Sequence, residues 1–102
     1  MKARMKRLAV ELPERTEAQF RPRSGPAAKH GIGVLNNPAT IDSDYRGEIR
    51  AVLFNTSDQD YNISRGDRMA QLAFTVLTDV DLVKTDSLSE TSRGPGGFGH
   101  TG

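Results

Sequence analysis

The sequence contains no cysteine and no tryptophan, and it has only two histidines among 102 residues. The lack of cysteine excludes disulfides and thiolate chemistry, and with so few histidines it also argues against a structural zinc site. No hydrophobic run approaches transmembrane length. The basic start from Met1 to Arg7 is not followed by the apolar stretch of a signal peptide, because acidic residues begin at Glu11. We therefore expect a cytoplasmic protein without membrane contact.

An excess of one charge is also missing, since 14 Lys and Arg face 13 Asp and Glu, for a formal net charge of +1. This balance gives no general attraction to nucleic acid. One basic cluster exists near the N-terminus, and it consists of Lys2, Arg4, Lys6 and Arg7. A nucleic-acid binder that uses this cluster is one alternative. No aromatic residues interleave with it, so we expect no nucleic-acid partner.

Helical periodicity is scarce, and short runs of apolar or alternating residues dominate the sequence. They occupy residues 8–12, 18–20, 32–35, 49–54, 72–76 and 80–83. Turn residues separate them, as at 36–38, 56–58 and 65–67. Many short strands divided by turns predict an all-β sandwich or barrel. The length predicts one domain, and the hydrophobic content of 35% suggests a small core that association would help.

One short helix is predicted between Ser24 and His30. Ser24 would be the N-cap, Pro26 would fall in the first turn, and Gly31 would follow as the C-cap. Beyond residue 92 the composition changes, because residues 93–102 include five glycines and few apolar side chains. We expect a β domain over residues 1–92, with a start of uncertain structure at 1–7, and a flexible tail over 93–102.

Two segments combine groups that bind or activate ligands. Pro22–Gly25 offers a hydroxyl, free backbone N–H groups and the Arg23 charge near a helix start, which is an arrangement that suits anions; an ordinary capped helix is the alternative. Thr40–Glu48 places three acids and Tyr45 at a turn. One acid could position a water, and another could hold Arg46 or a metal. The alternative is a polar hairpin whose carboxylates cap backbone groups.

Two later segments are also candidates. In Gly66–Leu72, the side chains of Arg68 and Gln71 either reach a phosphate or pair with a neighbouring acid and a backbone carbonyl. In Arg93–Gly102, a glycine-rich backbone can wrap a phosphate. Phe98 lies there without a core around it, and a ring on a flexible tether suits stacking on a base. The alternative is a disordered tail with one stray aromatic.

Taken in order, these segments resemble motifs two to five of the dUTP diphosphatase (dUTPase) family, and the similarity extends from Leu8 to the end. The resemblance implies a jelly-roll or distorted β-barrel fold. It also implies hydrolysis of dUTP to dUMP and diphosphate, with Mg²⁺ carried by the dUTP phosphates. A third implication is a homotrimer in which three chains share each active site.

The resemblance also implies roles for individual residues. Asp42 would orient and deprotonate the attacking water. Asn36 would read the uracil edge, and Tyr45 would pack beneath the deoxyribose. The substrate-binding set as a whole is Arg23, Ser24, Gly25, Asn36, Thr40, Ile41, Tyr45, Arg68, Gln71, Arg93 and Phe98. Within it, Ser24, Gly25 and Gln71 would contact phosphates, Arg23 and Arg68 would support the loops, Arg93 would reach the γ-phosphate, and Phe98 would stack on uracil.

The sequence departs from the family pattern at several points. Nothing from Met1 to Val10 resembles the family's first motif, an Ala-Gly-Tyr-Asp-Leu type segment, so we expect a chain that is shortened at its N-terminus or has lost an internal stretch near Arg7. A working dUTPase, a non-catalytic dUTP-binding or interaction protein, and a degenerate fragment remain as alternatives. Ala39 stands where the family has a glycine, which would cost roughly 1–2 kcal/mol if φ is positive there. Pro26 replaces an apolar residue.

Overall fold

The computed structural model describes residues 1–4 and 7–102; Lys6 of the predicted basic cluster lies outside them. Short strands and one helix make up the regular structure of the described part. The strands are β1 (Lys2–Arg4), β2 (Ala9–Glu11), β3 (Thr16–Pro22), β4 (Ile32–Val34), β5 (Ala39–Ile41), β6 (Leu53–Asn55) and β7 (Ala70–Val76), and the helix is α1 (Ser24–His30). The predicted all-β fold with one short helix is confirmed.

Strand β3 lies in the middle of the fold and pairs with β5 on one side and β7 on the other, antiparallel in both cases. Ala18 lies opposite Ile41 in one ladder and opposite Phe74 in the other. Helix α1 follows β3 almost at once, and the acidic segment follows β5. This sheet therefore brings three of the four candidate segments onto neighbouring strands.

Two smaller antiparallel ladders complete the fold. Strands β1 and β2 pair with Lys2 opposite Glu11, and β4 and β6 pair with Gly33 opposite Phe54. A Cβ atom at residue 33 would come within 2.6 Å of the Phe54 ring. The absence of a side chain at Gly33 leaves room for the ring of Phe54, which packs against it from the neighbouring strand.

The hydrophobic core is small. Within the described residues, the buried hydrophobic set consists of Ala9, Val10, Leu12, Ala18, Ile32, Val34 and Ile41. Ala18 is fully buried at the centre of one cluster, and Leu8, Ile49 and Leu72 pack against that cluster while remaining partly exposed. Burial of apolar area is the main favourable term in folding. A core of this size therefore leaves the single chain with little hydrophobic stabilisation.

Helix α1 has the predicted bounds, but its N-cap residue differs from the predicted one. It begins at Ser24, and its N-cap is Arg23, which has an extended backbone and makes no capping bond with its side chain. The prediction of Ser24 as N-cap is wrong because β3 continues to Pro22, so the extended residue before the helix is Arg23. The end is as predicted: Gly31 adopts φ 68°, and its N–H donates to the carbonyl oxygens of Ala27 and Pro26.

Two predicted strands differ in the structure. Only the end of the 49–54 run is a strand, as part of β6. The run at 80–83 forms no strand: Val80, Leu82 and Val83 are between 72% and 95% exposed. A strand needs a hydrogen-bonding neighbour, and no neighbour for this segment is found within the described residues.

The chain is extended for its length. Its Cα radius of gyration is 19.0 Å, and its dimensions are 54 × 38 × 16 Å. A compact domain of 100 residues has a radius of about 13 Å. The flat shape and the exposed segment after β7 leave much of the apolar surface uncovered by the chain itself.

Candidate functional site

A pocket of about 270 Å³ opens beside β5 and the turn that follows it. We call it the hairpin pocket; its lining residues are Phe20, Asn36, Ala39, Thr40, Ile41, Asp42, Tyr45, Glu48, Ile49 and Arg50. Five of the site residues predicted from the sequence are among them, namely Asn36, Thr40, Ile41, Asp42 and Tyr45. The structure therefore brings Asn36 and Tyr45, the residues predicted to contact uracil and deoxyribose from this segment, together with the predicted base Asp42.

The turn at this pocket is held by contacts of Tyr45. Its amide donates to the carbonyl oxygen of Asp42 at 3.1 Å, and its hydroxyl donates to the carbonyl oxygen of Glu48 at 2.9 Å. The ring lies against Gly47, where any Cβ atom would clash with it. Glycine at residue 47 thus lets the tyrosine fold back over its own loop, and the exposed carboxylate of Asp42 lies at the edge of the pocket.

Arg46 binds the same turn. Its Nη1 donates to the carbonyl oxygens of Ser43 at 2.6 Å and Tyr45 at 3.2 Å, and its Nη2 lies 3.6 Å from Oε1 of Glu11. The sequence suggested that one acid of residues 42–48 could hold Arg46, but the ion pair of Arg46 in the structure is with Glu11 instead. The acid that pairs with Arg46 lies on β2, in a part of the chain that sequence spacing did not connect to this turn.

A second pocket of about 150 Å³ lies where β3, α1 and β7 meet. We call it the polar cleft; it is lined by Arg23, Ser24, Gly25, Pro26 and Gln71. The pairing of β3 with β7 brings Gln71 here, and its Nε2 donates to the carbonyl oxygen of Pro22 at 3.0 Å. Four predicted phosphate-site residues, Arg23, Ser24, Gly25 and Gln71, are therefore neighbours in space.

The polar cleft is suited to an anion. It is lined by a guanidinium, a hydroxyl and a side-chain amide, and no carboxylate contributes to its lining. Hydrogen bonds from a charged donor to a phosphate oxygen are shorter and stronger than neutral ones. A phosphate group in this cleft would meet donors and one fixed positive charge without a competing acid.

Three predicted residues lie away from both pockets. Arg68 is exposed just before β7 and lines neither pocket. Arg93 donates from its Nε to the carbonyl oxygen of Gly96 at 2.6 Å, within the tail itself. The ring of Phe98 is fully exposed. The single chain does not bring its tail to the candidate site.

Several pocket residues were missed by the sequence-based prediction. Phe20 lines the hairpin pocket because it pairs with Ala39 across the sheet; its alternation with Ala18 indicated only a strand. Arg50 also lines the pocket, and it forms an ion pair of 3.3 Å with Glu48. From the sequence, Glu48 was identified only as one of three acids in its segment. The position of Phe20 depends on the pairing of β3 with β5, whereas the contact between Arg50 and Glu48 is local.

The expected strain at Ala39 does not occur. This residue lies in β5, and the described non-glycine residues with positive φ are Arg15 and Phe98. An extended strand accommodates alanine as readily as glycine. The cost considered for a positive φ therefore does not apply, and the methyl group of Ala39 simply lines the hairpin pocket.

Across residues 1–4 and 7–102, no group of three His, Cys, Asp or Glu side chains is placed to hold a metal ion. None of the helical structure in that same portion is both long and apolar enough to cross a membrane.

Solved structures share the fold. Two single-residue mutants of the dUTPase of Staphylococcus bacteriophage 80alpha, each solved with dUpNHpp, superpose with a TM-score of 0.75. Each match covers 93% of this chain and 72% of the phage chain at 20% identity. The protein is thus an all-β protein of the dUTPase fold.

Sequence comparisons identify the family. The dUTPase family model matches residues 5–102. The deoxyuridine 5'-triphosphate nucleotidohydrolase of Beijerinckia indica is 54% identical over 91% of this chain, and that of Mesorhizobium japonicum is 50% identical over 93%. The chain belongs to the dUTPase family. It spans 58% and 59% of the lengths of these two relatives.

Proposed function

We propose that this chain hydrolyses dUTP to dUMP and diphosphate. The observation that carries the proposal is the gathering of Asn36, Thr40, Asp42 and Tyr45 around one pocket of about 270 Å³, with a separate anion-suited cleft on the same chain. The relatives' name, deoxyuridine 5'-triphosphate nucleotidohydrolase, supports the same reaction. The dUTP analogue in the phage structures supports a deoxyuridine nucleotide as the ligand.

The hairpin pocket would hold the nucleoside. Asn36 and the backbone of the following hairpin are proposed to hydrogen-bond the uracil edge. The Tyr45 ring, held by its bond to the Glu48 carbonyl, would pack beneath the deoxyribose and leave no space for a 2′-hydroxyl. Discrimination against UTP would then come from the Tyr45 ring, whose position is fixed before the nucleotide binds.

The chemical step is an in-line attack of water on the α-phosphorus. The Asp42 carboxylate takes a proton from the water as the new O–P bond forms. The bond from phosphorus to the bridging oxygen breaks, and diphosphate leaves with that electron pair. Arg23, Ser24, Gly25 and Gln71 would hold phosphate oxygens, because positioning and charge stabilisation dominate phosphoryl transfer.

Mg²⁺ is proposed to arrive with dUTP, bound to its phosphates. An ion delivered in this way needs no cluster of three protein ligands, and none is found among the described residues. Bound there, Mg²⁺ would neutralise charge on the phosphate oxygens.

A homotrimer with shared sites is proposed as the working form. The hairpin pocket and the polar cleft have no lining residue in common, and the tail reaches neither. Val80, Leu82 and Val83 are exposed, and the radius of gyration is 19.0 Å. Neighbouring chains would cover this apolar surface. They would also let a pocket, a cleft and a tail from different chains meet around one dUTP.

The segment 93–102 is proposed to close over the bound nucleotide. Phe98 would stack on uracil, Arg93 would exchange its contact with Gly96 for the γ-phosphate, and Arg68 would support the cleft. Closure excludes water other than the nucleophile. A location in the cytoplasm remains a prediction.

Diphosphate release from dUTP, dTTP, dCTP and UTP with Mg²⁺ tests the proposal. We expect release from dUTP with clear preference over the other three nucleotides. Sedimentation of the same preparation establishes its assembly state. A folded trimer that releases nothing from dUTP, or that hydrolyses UTP equally fast, would contradict the proposed function.

A further inference from the structure

Arg46 makes three contacts that surround the turn carrying Asp42. Its guanidinium donates to the carbonyl oxygens of Ser43 and Tyr45 and lies 3.6 Å from the carboxylate of Glu11. The turn itself is closed by the bond from the Tyr45 amide to Asp42. Arg46 therefore connects the central peptide of this turn, and the peptide that follows the turn, to a strand outside it.

The position of Glu11 on strand β2 is fixed by the packing of its neighbours. Val10 and Leu12, on either side of Glu11, are each 5% exposed, so their burial fixes the outward direction of Glu11. The carbonyl oxygen of Leu8 also accepts a bond of 2.7 Å from the amide of Ile49. The loop is thus attached to this part of the chain twice, once through a side-chain ion pair and once through the backbone.

We propose that Glu11 and Arg46 are positioning residues that hold Asp42 in place for the attack on dUTP. This inference rests on the proposed function, because it concerns the base of that reaction. The guanidinium fork matches several acceptors at once, which an ammonium group does not. Arg46 holds the turn, and Glu11 holds Arg46.

The pair contributes little to overall stability. The side chains of Glu11 and Arg46 are 50% and 54% exposed, and exposed ion pairs contribute little to stability because water and salt screen them. Small displacements of a catalytic group, in contrast, cost on the order of a hundredfold in rate. The consequence of losing the bridge should therefore appear in turnover before it appears in the unfolding midpoint.

Arg46→Lys and Glu11→Gln test the inference in the full chain. Amide hydrogen exchange at Tyr45 measures whether the turn opens, and kcat and KM for dUTP measure the chemical effect. We expect faster exchange at Tyr45 in Arg46→Lys and a fall in kcat of about tenfold or more, with KM changed much less. Glu11→Gln should act in the same direction but less. The double variant should lose little more than Arg46→Lys, because the two residues act through one bridge.

Arg15→Ala is the matched control, since Arg15 forms an exposed ion pair with Asp79 and lines neither pocket. It should leave exchange at Tyr45 and kcat unchanged. Wild-type exchange at Tyr45 in Arg46→Lys, or a fall in protection spread evenly over the whole chain, would overturn the positioning role. If the wild-type trimer does not hydrolyse dUTP, the proposed function fails, whereas the exchange measurement still decides whether Glu11 and Arg46 hold the turn.

Discussion

Gln71 and Pro22, which are far apart in the sequence, are joined by a hydrogen bond of 3.0 Å from the side-chain amide of Gln71 to the carbonyl oxygen of Pro22. The bond holds the end of β3 against β7, immediately before the helix start that carries Ser24 and Gly25. It fixes Gln71 in the wall of the polar cleft. The cleft can therefore be tested through this one side chain.

Replacing Gln71 with glutamate should weaken binding of a non-hydrolysable dUTP analogue. Gln71→Glu keeps the size of the side chain but places a negative charge where we expect phosphate, so affinity should fall by about tenfold or more, equal to about 1.4 kcal/mol. Calorimetry measures this loss. Gln59→Glu makes the same change far from both pockets and should bind normally. Unchanged affinity in Gln71→Glu would remove the cleft from the phosphate site.

Hydrolysis should depend on the carboxylate of Asp42. Asp42→Asn keeps the shape and the turn but removes the proton acceptor, and we expect a loss of ~10²–10⁴-fold in kcat. Asp44→Asn is the control, because Asp44 lies in the same turn but lines neither pocket. Diphosphate release from dUTP measures both. A wild-type rate in Asp42→Asn would mean that another group is the base.

Removing residues 93–102 should abolish turnover and leave the fold intact. None of these residues belongs to the buried hydrophobic set, so circular dichroism and the unfolding midpoint should not change. In the full chain, a dUTP analogue should protect the tail from proteolysis. Phe98→Ala should reproduce part of the loss. Full turnover by the shortened chain would show that the tail is not part of the site.

A charge at residue 82 should separate the chains. Leu82 is 95% exposed in the single chain, and substitutions at truly exposed positions change stability by only about 0.5 kcal/mol. If neighbouring chains cover it, Leu82→Glu will bury an unpaired charge and shift the trimer towards monomer, whereas Leu82→Met will not. Sedimentation at micromolar concentration distinguishes them. A trimeric Leu82→Glu protein would place the interface elsewhere.

Local sequence signals predicted the helix and the grouping of the site. Pro26 and Gly31 limit α1 through their own backbone preferences, so its bounds could be read from the sequence. The resemblance to dUTPases predicted the grouping of Asn36, Asp42 and Tyr45, because these residues lie close together in the sequence, on either side of β5.

Features that depend on pairing between distant strands could not be predicted. The contact between Glu11 and Arg46 requires β2 to lie beside the turn after β5, and nothing in the spacing of the two residues indicates it. Phe20 enters the hairpin pocket only through its register with Ala39. The run at 80–83 has the composition of a strand, but hydrogen-bonding partners decide whether a strand forms.

The separation of the hairpin pocket from the polar cleft has a genetic consequence. In a mixed assembly, a chain with Asp42→Asn still contributes an intact cleft, and a chain with Gln71→Glu still contributes an intact pocket. If each active site combines the hairpin pocket of one chain with the polar cleft of another, some sites of a mixed trimer contain both an intact pocket and an intact cleft. Two alleles that are each impaired alone would then complement one another in part when they are expressed together, although both defects lie in the same gene.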